Sequence, residues 1–366
     1  MEKFRAFLAR KNVVISLRRY GVDALGAMAQ GLFCTLLAGT ILDTLGKQLG
    51  IGLLTRSMVT LGGGAVSYTL GGLASAMTGP GIAAAIGCAL ACPPLVLFSL
   101  LPVGFAANAL GGAGGPLAVW AVAILAAEAG KLVSRETRVD ILVTPLATIV
   151  TGVLAAQAVA APIGKAAGAV GYAIMWATEL QPFFMGVIVS VLIGMALTLP
   201  ISSAAICAAL GLTGLAGGAA VAGCCAQMVG FAVMSFKENG WGGLAAQGVG
   251  TSMLQMPNIV KNPKVWIPPI VASAVTGPLA TCVFKLQMNG APVSSGMGTC
   301  GFVGQIGVYT GWLADIAAGT KSAVTSMDWL GLILICFVLP AVLSYVLCEL
   351  LRKWGWIKEG DLKLDL

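Results

Sequence analysis

Apolar spans long enough to cross a bilayer follow one another along most of this chain, and that succession decides its class before any motif is read. In hydrocarbon every backbone N–H and C=O must be satisfied inside the protein, so only α-helices and closed barrels can span. The runs are continuous. A barrel would show segments of about ten residues with alternating hydrophobicity. Charged residues make up 10% of the sequence, against about 25% in a soluble domain. The reading is an all-α polytopic integral membrane protein. At roughly 20 residues per span, its 366 residues leave room for about ten transmembrane helices, some of them re-entrant hairpins.

Residues 1–20 form a basic arm, with Lys3, Arg5, Arg10, Lys11, Arg18 and Arg19 against Glu2. Phe4, Phe7, Leu8, Val14, Ile15 and Leu17 interleave with the cations. That mixture suits a segment lying on anionic lipid headgroups, and the positive-inside bias puts the N-terminus in the cytoplasm. Residues 21–351 read as the transmembrane domain and 352–366 as a tail, cytoplasmic if the number of spans is even. The net charge of +7 is largely that of the arm. It speaks for membrane topology and not for nucleic-acid binding.

The chain has no histidine, which excludes histidine bases, histidine metal sites and a phosphohistidine of its own. Its ten cysteines lie mostly inside apolar spans, where a thiol behaves as a small hydrophobe. No metal constellation and no nucleophilic triad appears, so no catalytic residue and no cofactor are expected in this chain. The fifty glycines suit close helix packing. Asn108 followed by GGAGGP marks one break between spans. Ser75-Ala76-Met77-Thr78-Gly79-Pro80 recurs as Ser273-Ala274-Val275-Thr276-Gly277-Pro278, a short internal echo that chance could also produce.

The stretch from Gly240 to Pro269, GWGGLAAQGVGTSMLQMPNIVKNPKVWIPP, sits between apolar spans yet is broken by glycine and proline. Unwound backbone at membrane depth is tolerated only where protein or a water-filled cavity satisfies it. In transporters such interruptions point to the substrate site. Gln255, Asn258 and, more weakly, Asn239, Gln247 and Thr251 are therefore expected to bind a polar solute, the other reading being that they satisfy broken backbone. Glu179 and Gln181 precede Pro182 at a span edge, where an acid is a functional candidate. Ser294 and Ser295 lie in a second polar break, SSGMGTCG, expected to line the same cavity. Glu128 is expected to pair with Lys131, close to one helical turn away.

Four segments resemble a known family. RETRVDILVTPLATIVTGVL (135–154) and ELQPFFMGVIVSVLIGMALTLPISSAAICAALGL (179–212) are similar to stretches of fructose/mannitol-type sugar permeases. NPKVWIPPIVASAVTGPLA (262–280) resembles their Pro-rich stretch, with Asn262, Pro263 and Pro268 in register. GTSMLQMPNIVKNP (250–263) resembles the branch described as EIIC-like phosphotransferase-system and perfringolysin O regulator membrane proteins.

The resemblance implies an EIIC-like permease of the bacterial cytoplasmic membrane, usually a homodimer, that binds a sugar. Separate EIIA/EIIB-type subunits would supply the phosphate. Those permeases carry a hairpin glutamate on the sugar hydroxyls, and here the matching segment, Ser252 to Pro257, offers Gln255 in its place. Two other readings stand beside this one: a membrane-embedded regulator without transport, and a transporter that works without phosphorylation.

Overall fold

The computed structural model describes residues 2–61 and 66–364, with side chains from residue 6 onward. It is helical almost throughout, apart from one two-stranded ribbon, β1 (Val59–Leu61) with β2 (Val66–Tyr68), in antiparallel register. Two compact units divide the chain, Met1–Ala167 and Gly168–Leu366.

In the first unit, α1 (Glu2–Arg10) leads to α2, a continuous helical stretch over Arg19–Leu49. Then come α3 (Leu70–Ala76), α4 (Thr78–Ala89), α5 (Pro94–Gly111), α6 (Gly115–Val133) and α7 (Asp140–Thr178), the last running on into the second unit. Helices α3 and α4 bend by 53° at Met77. Pro94–Val133 is apolar throughout but is two arms. Gly112 (φ +51°) reverses the chain, and Gly130 near the end of α6 lies against Val96 near the start of α5. Only glycine suits such a left-handed turn without strain. At 39 residues, α7 is about 58 Å long, well beyond a hydrocarbon core of roughly 30 Å.

In the second unit, α8 (Pro182–Thr198), α9 (Ser203–Ala209) and α10 (Gly214–Met234) precede a broken segment. That segment holds α11 (Phe236–Ala245), a tight turn at Ser252–Gln255, α12 (Met256–Lys261) and a second tight turn at Pro263–Trp266. Helix α13 (Ile267–Pro278) follows, then a second break over Pro292–Phe302, α14 (Val303–Ala317) and α15 (Ser326–Lys353). Among the described residues this makes ten apolar arms of fifteen residues or more, with α3 and α4 counted as one bent arm and α13 counted with its flanking turns as Pro263–Val283. Six stretches are long and apolar enough to cross a membrane by themselves.

Helix α10 is the axis of this unit, with 17 of its 21 residues buried. A helix apolar on every side has to be enclosed, and α8, α13 and α15 enclose it. Glycine makes the approach possible: Gly223 on α10 meets the backbone of Ser190 on α8, and Gly230 meets Ser344 on α15. Both copies of the internal echo do the same. Gly79 packs on Gly104, and Gly277 packs on Gly186. Large apolar side chains left exposed, such as Phe98, Phe105, Leu146, Val150 and Leu154, face what a lipid environment would cover.

The basic arm is built into the first unit. Lys11 donates to the Ser134 carbonyl and pairs with Glu136, and Arg10 reaches the same carboxylate at 2.7 Å. Lys131, 2% exposed, donates to the Asn12 carbonyl at 3.0 Å and pairs with Glu128 at 2.8 Å, the pair expected from the spacing. The hydrogen bond from Lys11, opposed by burial and helped to a lesser extent by the Arg10 charge, holds the Glu136 carboxyl below the usual carboxylate range. A carboxyl whose pKa is lowered by folding stabilises the fold above its unfolded pKa, about 4.3 for Glu. It loses that contribution as pH falls through the folded value. Acid is therefore expected to loosen the arm. Hydrogen exchange of residues 6–12 should speed up from pH 7 to pH 3 after correction for intrinsic rates, and unchanged protection would contradict the pairing.

Candidate functional site

The expected solute-binding amides form a ladder in the broken segment of the second unit. Asn258 donates to the Gln255 carbonyl oxygen at 2.8 Å, and Gln255 donates to that of Gln247 at 2.8 Å. Gln247 donates in turn to the Ser235 hydroxyl at 2.8 Å. Each amide spends its other hydrogen on a backbone carbonyl: Lys363 for Asn258, Leu362 for Gln255 and Gly243 for Gln247. All four side chains are buried. Buried amides must be paired in this way, because an orphaned polar group costs about 1–3 kcal/mol.

Two of those carbonyls belong to the C-terminal tail, which straps the broken segment. Asn239 grips it from both sides, donating to the Leu362 carbonyl and accepting from the Leu364 N–H, each at 2.8 Å. Glu238 accepts from the Leu362 N–H at 3.0 Å and pairs with Arg352 at 2.7 Å. Asn262 donates to Asp361 and to the Trp356 carbonyl. Leu362 is fully buried and Ile357 nearly so. Gln255 and Asn258 are thus committed to the tail. Asn239→Ala removes two of its bonds and should cost about 1–3 kcal/mol locally. Proteolysis after residue 353 should then become faster. A cleavage rate equal to that of the unaltered protein would show that the strap does not depend on Asn239.

A second buried cluster lies where α8, α10, α13 and the broken segment converge. Gln227, fully buried on α10, accepts from the Trp266 indole N–H at 2.8 Å and from the Thr198 hydroxyl at 3.1 Å. Its amide nitrogen faces the Ser273 hydroxyl at 3.4 Å. Thr198 shares a further hydrogen bond with Ser252 at 2.8 Å. Ser190 donates to the Ser273 carbonyl at 2.7 Å. Proline at 268 and 269 opens α13, and Ser273 donates back to the Pro269 carbonyl at 2.8 Å. Every group in the cluster is an uncharged amide, hydroxyl or indole.

The remaining candidates are spread out. Thr251 caps the Ser252–Gln255 turn by accepting from the Met253 N–H. Ser294 and Ser295 are buried in the second break, and Ser295 donates to the Leu212 carbonyl at 2.7 Å. That break does touch the first, through Cys300–Phe302 against Ala246–Gly250. Gln305 follows it, buried, with its amide on Cys225 Sγ and its carbonyl oxygen without a partner among the described residues. Glu179 and Gln181 are exposed at the turn before α8 and make no side-chain hydrogen bond among the described residues. Thr198 stands at the other end of that helix, about 25 Å away by helical rise.

Sequence reasoning passed over Gln227, Thr198, Ser190, Trp266 and Ser273. One signal was there to use: Gln227 is the only amide in the apolar run of α10. No group of metal-ligating side chains occurs among the described residues.

No curated protein and no solved structure significantly matches the chain. A family does. The model of the family described as "Phosphotransferase system, EIIC" matches residues 22–364, almost the entire chain. A polytopic helical membrane protein with broken segments in its second half and buried uncharged polar clusters agrees with that match, and the chain belongs to the phosphotransferase system EIIC family.

Proposed function

We propose that this chain is the membrane permease subunit of a phosphoenolpyruvate-dependent sugar phosphotransferase system, and that its solute enters the cluster around Gln227. The observation that carries the reading is the convergence of Gln227, Thr198, Ser252, Trp266 and Ser273 from separate elements inside an apolar unit. Amides and hydroxyls exchange hydrogen bonds with sugar hydroxyls at little cost, and an indole offers an apolar face to a sugar ring. The cluster holds no carboxylate and no cation. A charged solute there would stay uncompensated in low dielectric, which is expensive, so a neutral sugar or polyol is favoured.

Ser252 and Trp266 ride on the broken segment, whose Gly240 has φ +58° and whose helices are short. Movement of that segment would open the cluster while α8 and α10 stay packed, a form of alternating access. With no histidine in the chain, any phosphohistidine belongs to a separate EIIA/EIIB-type partner. A homodimer in the cytoplasmic membrane, with both termini in the cytoplasm, is part of the same proposal.

The test is thermal stabilisation of the purified protein by neutral sugars, polyols, sugar acids and small anions. A specific ligand at a hundredfold excess over its Kd stabilises by about 2.7 kcal/mol. Stabilisation by a neutral sugar or polyol is the expected result. Stabilisation by acids or anions alone that persists in Arg10→Gln with Arg135→Gln would refute the neutral site.

A further inference from the structure

A cavity of about 380 Å³ opens at the end of the first unit that carries the basic arm. Three turns build it: Arg10-Lys11-Asn12, Ala91-Cys92-Pro93, and Ser134-Arg135-Glu136 after Lys131. Four cationic side chains line it against one acid, Glu136. Lys131 is consumed by Glu128 and by backbone carbonyls, and Lys11 by Ser134 and Glu136. Arg10 uses one guanidinium nitrogen on Glu136, and the Arg135 guanidinium has no hydrogen-bond partner among the described residues.

The backbone of these turns is unusual. Among the described residues five non-glycine residues have a left-handed φ, and three of them, Asn12 (+53°), Ala91 (+51°) and Arg135 (+60°), line this one cavity. Such conformations cost of order 1–3 kcal/mol each and gather at functional sites. Here they turn three chain reversals toward one space.

Exposed apolar residues flank two of these turns in the chain: Val14, Ile15 and Leu17 follow Asn12, and Val139, Ile141 and Leu142 follow Glu136. A cationic cup whose turns run on into exposed apolar residues, at the ends of the bilayer-length arms α5 and α6, has the polarity of a phospholipid-water boundary.

We propose that this cavity binds a phosphate-bearing anion through Arg10 and Arg135, with anionic phospholipid headgroups as its source. The acyl chains would lie on Val14, Ile15 and Leu17. Glu136 is the internal competitor: it holds Arg10 and Lys11 when the anion is absent, and the anion displaces it. Planar guanidinium groups suit this exchange, since they bind phosphate oxygens in pairs. The site shares no residue with the Gln227 cluster and does not depend on the sugar reading.

The experiment reconstitutes the full chain in vesicles of phosphatidylcholine with or without phosphatidylglycerol, and counts retained phosphatidylglycerol per protein after delipidation by neutral detergent. Each basic residue near an anionic surface is worth roughly five-fold in affinity. Arg10→Gln with Arg135→Gln should lower phosphatidylglycerol affinity about 25-fold on that scale. Glu136→Gln, which keeps the shape and removes the competing charge, should raise it. Opposite signs from the two changes separate binding from misfolding.

A second arm adds inorganic phosphate to the delipidated protein and reads the melting temperature. A shift as large as that given by phosphatidylglycerol, abolished in the double variant, would keep the phosphate site and assign it a soluble source. Equal retention of phosphatidylcholine and phosphatidylglycerol without any response to phosphate would overturn the proposal. So would a Glu136→Gln affinity no higher than that of the unaltered protein.

Discussion

Gly223→Val is expected to destabilise the second unit and lower its melting temperature. The added side chain would overlap the Ser190 carbonyl and Cα on α8, and backbone cannot swing aside as a long side chain can. Overpacking a tight core usually costs about 1–3 kcal/mol and occasionally more. This contact joins two helices backbone to backbone at the centre of the unit, so the upper end, about 3 kcal/mol, is expected. Gly168→Ala is the matched control. A Cβ at Gly168 meets nothing within 4 Å, and the helix should gain up to about 1 kcal/mol. Melting of the two purified variants checks the pair. A Gly223→Val protein that melts with the parent would mean that α8 and α10 do not pack as described.

Gln227→Met is expected to remove most solute affinity while the protein stays folded. Methionine matches the length of glutamine and fills the same space, so packing is largely kept. The change deprives Trp266 and Ser273 of a partner, which should cost about 1–3 kcal/mol of stability. The solute loses a donor and an acceptor in a dry site. Two such hydrogen bonds at about 1.5 kcal/mol each correspond to an affinity loss of roughly a hundredfold. Binding measured by titration calorimetry, with a melting curve of the same sample, separates the two effects.

The scaffold was open to sequence reasoning because hydrocarbon imposes so few solutions. Long apolar runs, the Asn108–Pro116 break and the Gly240–Pro269 interruption each describe local chemistry, and local chemistry is written in order along the chain. The Glu128–Lys131 pair is of the same kind, three residues apart on one helix. The destination of the tail is not. Nothing near Leu362 says that its carbonyl meets Gln255, 107 residues earlier, since any exposed backbone offers the same carbonyl. For that reason the sequence left both readings of Gln255 and Asn258 open, solute binding and satisfying broken backbone.

Gln227 was hidden for the opposite reason. A single amide in a small-residue run gives little contrast, and its partners Thr198, Trp266 and Ser273 come from three other elements. Glu179 drew notice as an acid beside apolar spans, yet the turn before α8 leaves it exposed. Burial, which decides between those two cases, is a property of packing and not of the local string.

The central claim is that solute binds at Gln227 and that the Gln255–Asn258 ladder holds the tail. It is tested most directly by the affinity of one stabilising sugar for three proteins: the unaltered chain, Gln227→Met and Asn258→Ala. The account predicts a loss of roughly a hundredfold for Gln227→Met and near-parent affinity for Asn258→Ala, which retains the whole Gln227 cluster. Parent affinity in Gln227→Met together with lost binding in Asn258→Ala would contradict it, and would return the solute to the broken segment that the tail now covers.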